Sequence, residues 1–184
     1  MTLPERLVAL HRAFSERRVP HAFGGAIALA YWTLDPRGTS DLDVNVFLPA
    51  ADPERALVAL PVGVDRPAGT AEAIGRDGQV RLWWDEMPVD LFFATIPFLE
   101  TAAGRVRPAP FGGRRISILA AEDLAICKIL FNREKDWLDL REMLLFGVGG
   151  MDLGYMCNWL GAMIGLADER VRRFDALVDT TRLE

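Results

Sequence analysis

The sequence predicts a protein of the α/β (α+β) class, in which a mixed sheet with helices precedes a C-terminal helical bundle. Short apolar runs alternate with helix-like segments up to about residue 119. The pair Gly24-Gly25 separates a short strand candidate from a helical segment. Beyond this half, helical spacing of apolar residues dominates. We therefore expect an α/β domain over residues 1–119 and a helical region over residues 120–184.

The first elements of the α/β half follow from apolar spacing and from turn residues. Leu7 and Phe14 share the apolar face of a helix that begins near Pro4, where proline is favoured. Asp52 is expected to cap a later helix, with Pro53 in its first turn. The predicted order is a helix over residues 4–18, a strand over 19–23, a helix over 26–34, a strand over 42–48 and a helix over 52–60.

A β-hairpin is predicted around residues 85–88, and it places Asp90 on a strand. The remaining elements of the first half are strands over 79–84, 89–94, 106–111 and 115–119 and a helix over 97–103. The C-terminal helices are predicted over residues 122–131, 134–146, 153–166 and 168–178, with a linker at 147–150.

The composition excludes several classes of protein. The formal net charge is −5, so any site for a polyanion would be a local patch on an acidic molecule. Cys127 and Cys157 are expected to be buried thiols in a reducing compartment. The N-terminus lacks a signal-peptide pattern, and the apolar stretch over 153–167 is shorter than the roughly 20 residues that span a bilayer. A cytoplasmic protein with no membrane partner is therefore expected.

Two aspartates, Asp41 and Asp43, lie one residue apart at the start of a predicted strand. Because strand side chains alternate between faces, both carboxylates should point the same way while the intervening residues are apolar. A solvated edge strand would give the same spacing, but close carboxylates are stabilised by a hard cation such as Mg²⁺. Asp90, on a second strand, would supply a third carboxylate for a site that transfers phosphoryl or nucleotidyl groups.

Two loops near these carboxylates have the composition of phosphate sites. Gly24-Gly25 at a strand–helix junction lets the backbone approach a polyphosphate, although such a turn is often only structural. The segment Arg37-Gly38-Thr39-Ser40 leads into the aspartates, and its guanidinium and hydroxyls are suited to a triphosphate. A plain surface turn is the alternative for this loop.

Taken together, these motifs resemble those of the DNA polymerase β-like nucleotidyltransferase superfamily. The residues that carry the resemblance are Gly24-Gly25, the pattern Arg37-x-Thr39-x-Asp41-x-Asp43, and Asp90. Residues 124–128, Arg133 and residues 135–140 resemble the helical segment of the AbiEii/MenT branch, the toxins of type IV toxin–antitoxin systems. The resemblance spans about residues 20–145. The chain departs from the pattern at Gly25, where many members have serine.

The resemblance implies a reaction and a set of residues. Mg²⁺ would bind to Asp41, Asp43 and Asp90, and Asp90 would also serve as base. An NTP would be the substrate and a tRNA 3′ end the acceptor, so that translation is blocked. The triphosphate would lie at Gly24, Gly25, Arg37, Thr39 and Ser40, and the helical residues on the nucleotide side would be Lys128, as a catalytic residue, and Asp136.

Other acceptors and other roles are left open by the sequence. A small molecule such as an aminoglycoside, or a protein hydroxyl, would suit the same chemistry, and a non-catalytic NTP-binding module is a further alternative. An RNA patch would include Arg105, Arg107, Arg114 and Arg115, unless these are solvated hairpin arginines. Trp83, Trp84 and Trp137 are predicted to pack more often than to stack on a base.

A partner is also expected at the loop before the aspartates. A cognate antitoxin would phosphorylate Thr39 or Ser40. Phosphorylation would add about −1.5 to −2 charge units beside the carboxylates and so block NTP binding.

Overall fold

The computed structural model describes residues 1–147 and 150–183. Val148 and Gly149, in the predicted linker, and Glu184 lie outside the described residues. The described chain divides into two compact units, one of Met1–Ile27 with Gly38–Leu119 and the other of Ala28–Arg37 with the helices from Ala120 onward. The second unit therefore also contains residues 28–37, and a domain boundary after residue 119 stays a prediction.

The first unit is built on a mixed sheet. Its described strands are β1 (His21–Phe23), β2 (Leu42–Pro49), β3 (Val64–Asp65), β4 (Gln79–Trp84), β5 (Met87–Ala94), β6 (Arg107–Phe111) and β7 (Arg114–Ile118). These seven strands lie in the order β3-β4-β5-β2-β1-β7-β6. β2 is parallel to β5 and β1 is parallel to β7, whereas the other neighbouring pairs are antiparallel.

The helices of the first half are α1 (Leu3–Glu16), α2 (Gly25–Thr33), α3 (Glu54–Ala59), α4 (Thr70–Asp77) and α5 (Pro97–Ala103). Thr2 caps α1 through a capping box with Glu5, whose carboxylate accepts from the Thr2 backbone at 2.8 Å. The prediction that Asp52 caps α3 is wrong, because the N-cap is Pro53. The backbone N–H of Asp52 instead donates to the carbonyl of Pro49 and closes the preceding turn.

The core of the sheet explains how the carboxylates are placed. Leu42, Val44 and Val46 of β2 are fully buried, as the alternating pattern predicted. Val89 and Leu91 of β5 are fully buried as well. Asp43 and Asp90 alternate with these residues, so both point to the opposite face of the sheet, where they are half-buried.

The second unit is helical and contains α6 (Ala121–Phe131), α7 (Glu134–Phe146), α8 (Leu153–Ile164) and α9 (Glu169–Thr181). Asn132, with a φ of 55°, ends α6 in the left-handed conformation that asparagine tolerates. Asp152 and Asp168 cap α8 and α9 through their side chains. No helix in residues 1–147 or 150–183 is long and apolar enough to cross a membrane.

Most predicted elements are confirmed within one to three residues of their bounds, and the fold class is confirmed. The strand β3 and the helix α4 were not predicted. The expectation of two buried thiols is wrong for Cys157, which is exposed on α8, whereas Cys127 is half-buried. The reason is that α8 is apolar around most of its circumference but buries only Met156 and Leu160.

Candidate functional site

Three charged residues form one row across adjacent strands of the sheet. Asp43 on β2 lies directly opposite Asp90 on β5, and Asp90 lies directly opposite Arg81 on β4. Side chains at opposed positions of neighbouring strands project from the same face. The sheet therefore brings together two of the predicted carboxylates and an arginine that was not predicted.

Arg81 binds Asp90 through a two-pronged ion pair. Its Nε donates to Asp90 Oδ1 and its Nη2 to Asp90 Oδ2, both at 2.7 Å. The pKa of Arg81 is raised above its ordinary value, chiefly by these hydrogen bonds and then by the charge of Asp90, with smaller effects of Asp41 and Asp43. The positive charge of Arg81 thus acts on all three carboxylates of the predicted metal site.

Thr39 orients the first carboxylate of the predicted site. Its Oγ1 donates to Asp41 Oδ1 at 2.6 Å, immediately before β2 begins. Thr39 is half-buried, whereas its neighbour Ser40 is exposed. Both line an open cleft of about 480 Å³, whose other lining residues are Leu3, Arg6, Asp85, Glu86 and Met87. The hydroxyl of Thr39, which was expected at a triphosphate, therefore binds a predicted metal ligand.

The glycine pair makes room for the second carboxylate. The backbone N–H of Gly24 donates to the carbonyl of Asp43 at 2.9 Å. A Cβ at Gly25 would lie 1.8 Å from Oδ2 of Asp43, and Gly25 has a φ of +49°. Both facts require glycine at this position. The Asp43 carboxylate therefore lies against the first residue of α2, where the positive end of the helix dipole favours an anion.

The predicted metal site has suitable donor atoms, but the described residues are not arranged as a metal centre, and Asp90 is already paired. Carboxylate oxygens are the ligands that Mg²⁺ prefers, and the glycine at position 25 leaves space for one of them. Among the described residues, no three His, Cys, Asp or Glu side chains form a group that could hold a metal ion. Both oxygens of Asp90 are bound to Arg81. Metal binding by Asp41, Asp43 and Asp90 stays a prediction.

In the second unit, Lys128 and Arg37 share one carboxylate. The buried Nζ of Lys128 donates to Asp139 Oδ2 at 2.6 Å and lies 3.6 Å from Asp136 Oδ1. Arg37 Nη1 donates to Asp139 Oδ1 at 2.8 Å, and its Nη2 binds Glu142. The structure thus gives both basic residues carboxylate partners within this unit. A role for either at a nucleotide stays a prediction.

Asp136 is fully buried at the start of α7 and remains ionised. Burial raises its pKa, but hydrogen bonds from Arg133 and the charges of Lys128 and Arg133 outweigh that effect, so the pKa lies below its ordinary value. Arg133 Nε donates to Asp136 Oδ2 at 2.7 Å. The carboxylate therefore acts as a counter-ion that holds α6 and α7 together.

Comparisons with solved structures identify the fold of the chain. No protein family model matches the chain, and no curated protein matches it. Among solved structures, a crystal structure of ANT(2'')-Ia in complex with adenylyl-2''-tobramycin is similar, with 15% identity, a TM-score of 0.57 and coverage of 100% of this chain and 98% of that one. A solution structure of the antibiotic-resistance factor ANT(2'')-Ia has 14% identity, a TM-score of 0.56 and coverage of 98% and 91%.

An antigenic nucleotidyltransferase-like protein from Paracoccidioides brasiliensis is also similar, with 16% identity, a TM-score of 0.54 and coverage of 95% of this chain and 92% of that one. The chain has the nucleotidyltransferase fold. The predicted superfamily and its AbiEii/MenT branch both stay predictions.

The arginines and tryptophans that were considered for RNA binding differ in their exposure to solvent. Arg107, Arg114 and Arg115 are exposed on the β6–β7 hairpin, at the edge of the sheet, and Arg105 is half-buried before it. Trp84 and Trp137 are buried, as the packing interpretation predicted, and Arg173 stacks over Trp137 at 4.3 Å. Trp83 is 47% exposed. Strand alternation places it on the same face as Arg81.

Proposed function

We propose that this protein is a metal-dependent nucleotidyltransferase. It would move a nucleoside monophosphate from an NTP to an acceptor hydroxyl. The acceptor oxygen bonds to the α-phosphorus, the bond to the β-phosphate oxygen breaks, and pyrophosphate leaves. The observation that carries this proposal is the register of Asp43 opposite Asp90, with Gly25 leaving room for the Asp43 carboxylate.

Each predicted site residue of the first unit other than Ser40 is assigned a task in this reaction. Asp41, Asp43 and Asp90 would hold Mg²⁺, which neutralises charge on the phosphates and orients them. Asp90 accepts the proton of the acceptor hydroxyl. Thr39 fixes the orientation of Asp41 through its 2.6 Å hydrogen bond, and the Gly24-Gly25 backbone admits the triphosphate. Roles for Arg37, Lys128 and Asp136 on the nucleotide side are supported by the sequence resemblance alone.

For the acceptor, we propose an RNA 3′ end, with tRNA as the substrate of a translation-blocking toxin. The sequence resemblance to the AbiEii/MenT branch supports this acceptor. The exposed arginines Arg107, Arg114 and Arg115 on one hairpin support it too, because they would neutralise backbone phosphates. Exposed Trp83 offers a surface on which a terminal base can stack.

The test is incubation of the protein with each α-labelled NTP, Mg²⁺ and total tRNA. We expect label in tRNA for the wild type and none for Asp41→Ala or Asp43→Asn. Arg76→Gln is a matched control, because Arg76 is an exposed arginine that pairs with the neighbouring Asp77 in the same unit. Tight NTP binding with no labelled product under any metal condition would contradict the enzyme proposal and favour a binding module.

A small-molecule acceptor is the second candidate. The ANT(2'')-Ia complex contains adenylyl-2''-tobramycin, and the two chains align over nearly their full lengths. A parallel incubation with tobramycin in place of tRNA separates the candidates. Label in tobramycin but not in tRNA would overturn the RNA acceptor while leaving nucleotidyl transfer intact.

We propose as partner a cognate antitoxin that phosphorylates Thr39 or Ser40. Ser40 is exposed, and Thr39 donates its hydroxyl to Asp41, so a phosphate on either residue would lie beside a carboxylate. Thr39→Glu and Ser40→Glu should both lose NTP binding, whereas Ser40→Gln, which adds no charge, should keep it. Full NTP binding by both glutamate variants would contradict the regulatory role.

A further inference from the structure

The ion pair between Arg81 and Asp90 is built by the hairpin itself. Trp84 pairs with Met87 across a turn of two residues, and counting back along both strands brings Arg81 opposite Asp90. Asp90 in turn lies opposite Asp43 on the parallel neighbour β2. The pair therefore belongs to the row of charges that the proposed function uses.

The two partners differ in their contact with solvent. The side chain of Asp90 is 14% exposed, whereas that of Arg81 is 54% exposed. A guanidinium in water can leave its carboxylate at little cost, because exposed ion pairs contribute little to stability. Asp90 is less exposed and cannot be left without a cation so easily. Arg81 is thus the partner that can be exchanged.

The ion pair between Arg81 and Asp90 engages the carboxylate oxygens that would bind a metal ion. Both oxygens of Asp90 accept hydrogen bonds from Arg81 at 2.7 Å. A fork of this kind matches the carboxylate plane and satisfies both oxygens at once. A divalent ion that binds the side of the carboxylate on which the fork lies must therefore replace at least one of these hydrogen bonds.

We infer that Arg81 is the resident counter-ion of Asp90, and that a divalent metal ion competes with it for this carboxylate. Arg81 is then a positioning residue, which acts on the reaction through Asp90. The inference rests on the proposed function, since it assigns the third metal ligand of that site. Asp90 then becomes a metal ligand only when the metal ion displaces Arg81. The displaced guanidinium can bind a phosphate of the NTP or of the acceptor.

The test measures the affinity of the full chain for Mn²⁺ alone, in the absence of NTP, from the signal of free Mn²⁺ in electron paramagnetic resonance. We expect Arg81→Gln to bind Mn²⁺ about two- to fivefold more tightly than the wild type, the range for loss of an exposed ion-pair competitor. In an Asp90→Asn background the same substitution should change the affinity far less. Arg76→Gln, which removes another exposed arginine of the same unit that also pairs with an aspartate, should leave the affinity unchanged.

The possible outcomes separate failure of the Arg81 inference from failure of the proposed metal site. Equal Mn²⁺ affinity in the wild type and Arg81→Gln overturns the competition. An effect of Arg81→Gln that is equally large with Asn at position 90 also overturns it, because charge alone then explains the change. If Mn²⁺ binding is lost in Asp41→Asn and Asp43→Asn, the metal site is supported even when Arg81→Gln has no effect on affinity. If Mn²⁺ binds to neither the wild type nor Arg81→Gln, both the metal site and the inference fall.

Discussion

Gly25 and Asp43 approach each other so closely that no side chain fits between them. A Cβ at position 25 would lie 1.8 Å from Oδ2 and 2.6 Å from Cγ of Asp43. The φ of +49° at Gly25 adds a backbone conformation that other residues rarely adopt. The sequence predicted this glycine as part of a phosphate turn. The structure shows that it also leaves the space in which the Asp43 carboxylate lies.

Gly25→Ala should displace the Asp43 carboxylate and lower the rate of nucleotidyl transfer by about 100-fold, the cost of a misplacement of about 1 Å at a reacting centre. The measurement is single-turnover transfer from a labelled NTP. Gly75→Ala is the matched control, because Gly75 lies within α4 and its Cβ would be 3.8 Å from the nearest atom, the carbonyl oxygen of Ala50. Equal rates for Gly25→Ala and the control would contradict the role of Gly25.

The hydrogen bond from Thr39 to Asp41 should matter for metal affinity. Thr39→Val keeps the shape of the side chain but removes the donor, and we expect Mn²⁺ affinity to fall by about tenfold, as for other residues that orient a metal ligand. Thr39→Ser keeps the hydroxyl and should bind Mn²⁺ like the wild type. If Thr39→Val and Thr39→Ser bind equally well, the hydrogen bond does not orient a ligand.

The faces of the strands were predictable from the sequence, because a period of two needs only local information. Leu42, Val44 and Val46 are buried, which leaves Asp43 on the other face, as expected. The partner of Asp90 was not predicted, because the turn was placed at residues 85–88. The actual turn is Asp85-Glu86, and Asp85 has a φ of 54°, a conformation for which glycine or asparagine is the usual sequence signal.

Contacts between distant segments were beyond the reach of local patterns. Arg37 and Asp139 are separated by 102 residues, and Lys128 reaches the same carboxylate from another helix. The spacing of residues within one segment contains no information about which distant segment it will contact. The short helix α4 was missed for a related reason, since its only buried apolar residue is Ile74, too little for a helical pattern.

Lys128 offers a test of whether a predicted catalytic residue is also structural. Its ammonium is buried and binds Asp139, with Asp136 close by, so its removal leaves carboxylates short of a cation. We expect Lys128→Met to lower the free energy of unfolding by about 3 kcal/mol, the lower end of the range for breaking a buried ion pair, since Arg37 and Arg133 remain.

The measurement for Lys128→Met is urea unfolding followed by circular dichroism. Lys135→Met is the control, because Lys135 is exposed on α7 and its replacement should change stability by less than about 0.5 kcal/mol. A stability for Lys128→Met equal to that of the control would show that the buried pair is not structural. Loss of nucleotidyl transfer without loss of stability would favour the catalytic role instead.

The two histidines of the chain should make stability depend on pH between about 4 and 6.5. His21 Nδ1 lies 2.8 Å from the carbonyl oxygen of Val19, which can only accept, so this nitrogen carries the proton. Its Nε2 then accepts from His11 Nδ1 at 2.9 Å. A second proton on His21 would turn Nε2 into a donor, so His11 would have to change its tautomer to keep the bond.

The sign of the pH effect follows from the pKa of His21. This pKa is lowered to about 4: burial lowers it most and the charge of His11 lowers it as well, and together they outweigh the hydrogen bond to Val19, which raises it. The unfolded chain binds the proton more readily below pH 6.5, so stability is full above that pH and is lost as the pH falls toward 4. The loss attributable to His21 is about 3 kcal/mol at most.

Unfolding by urea at pH 7.5 and pH 5.0 checks this, because the carboxylates with lowered pKa titrate mainly below that range. The wild type should be less stable at pH 5.0. His21→Gln keeps a donor for Val19 and an acceptor for His11 but does not titrate, so its stability should change much less between the two values. An equal loss in both proteins would mean that another group controls acid sensitivity, with His11, whose pKa burial also lowers, as the remaining histidine.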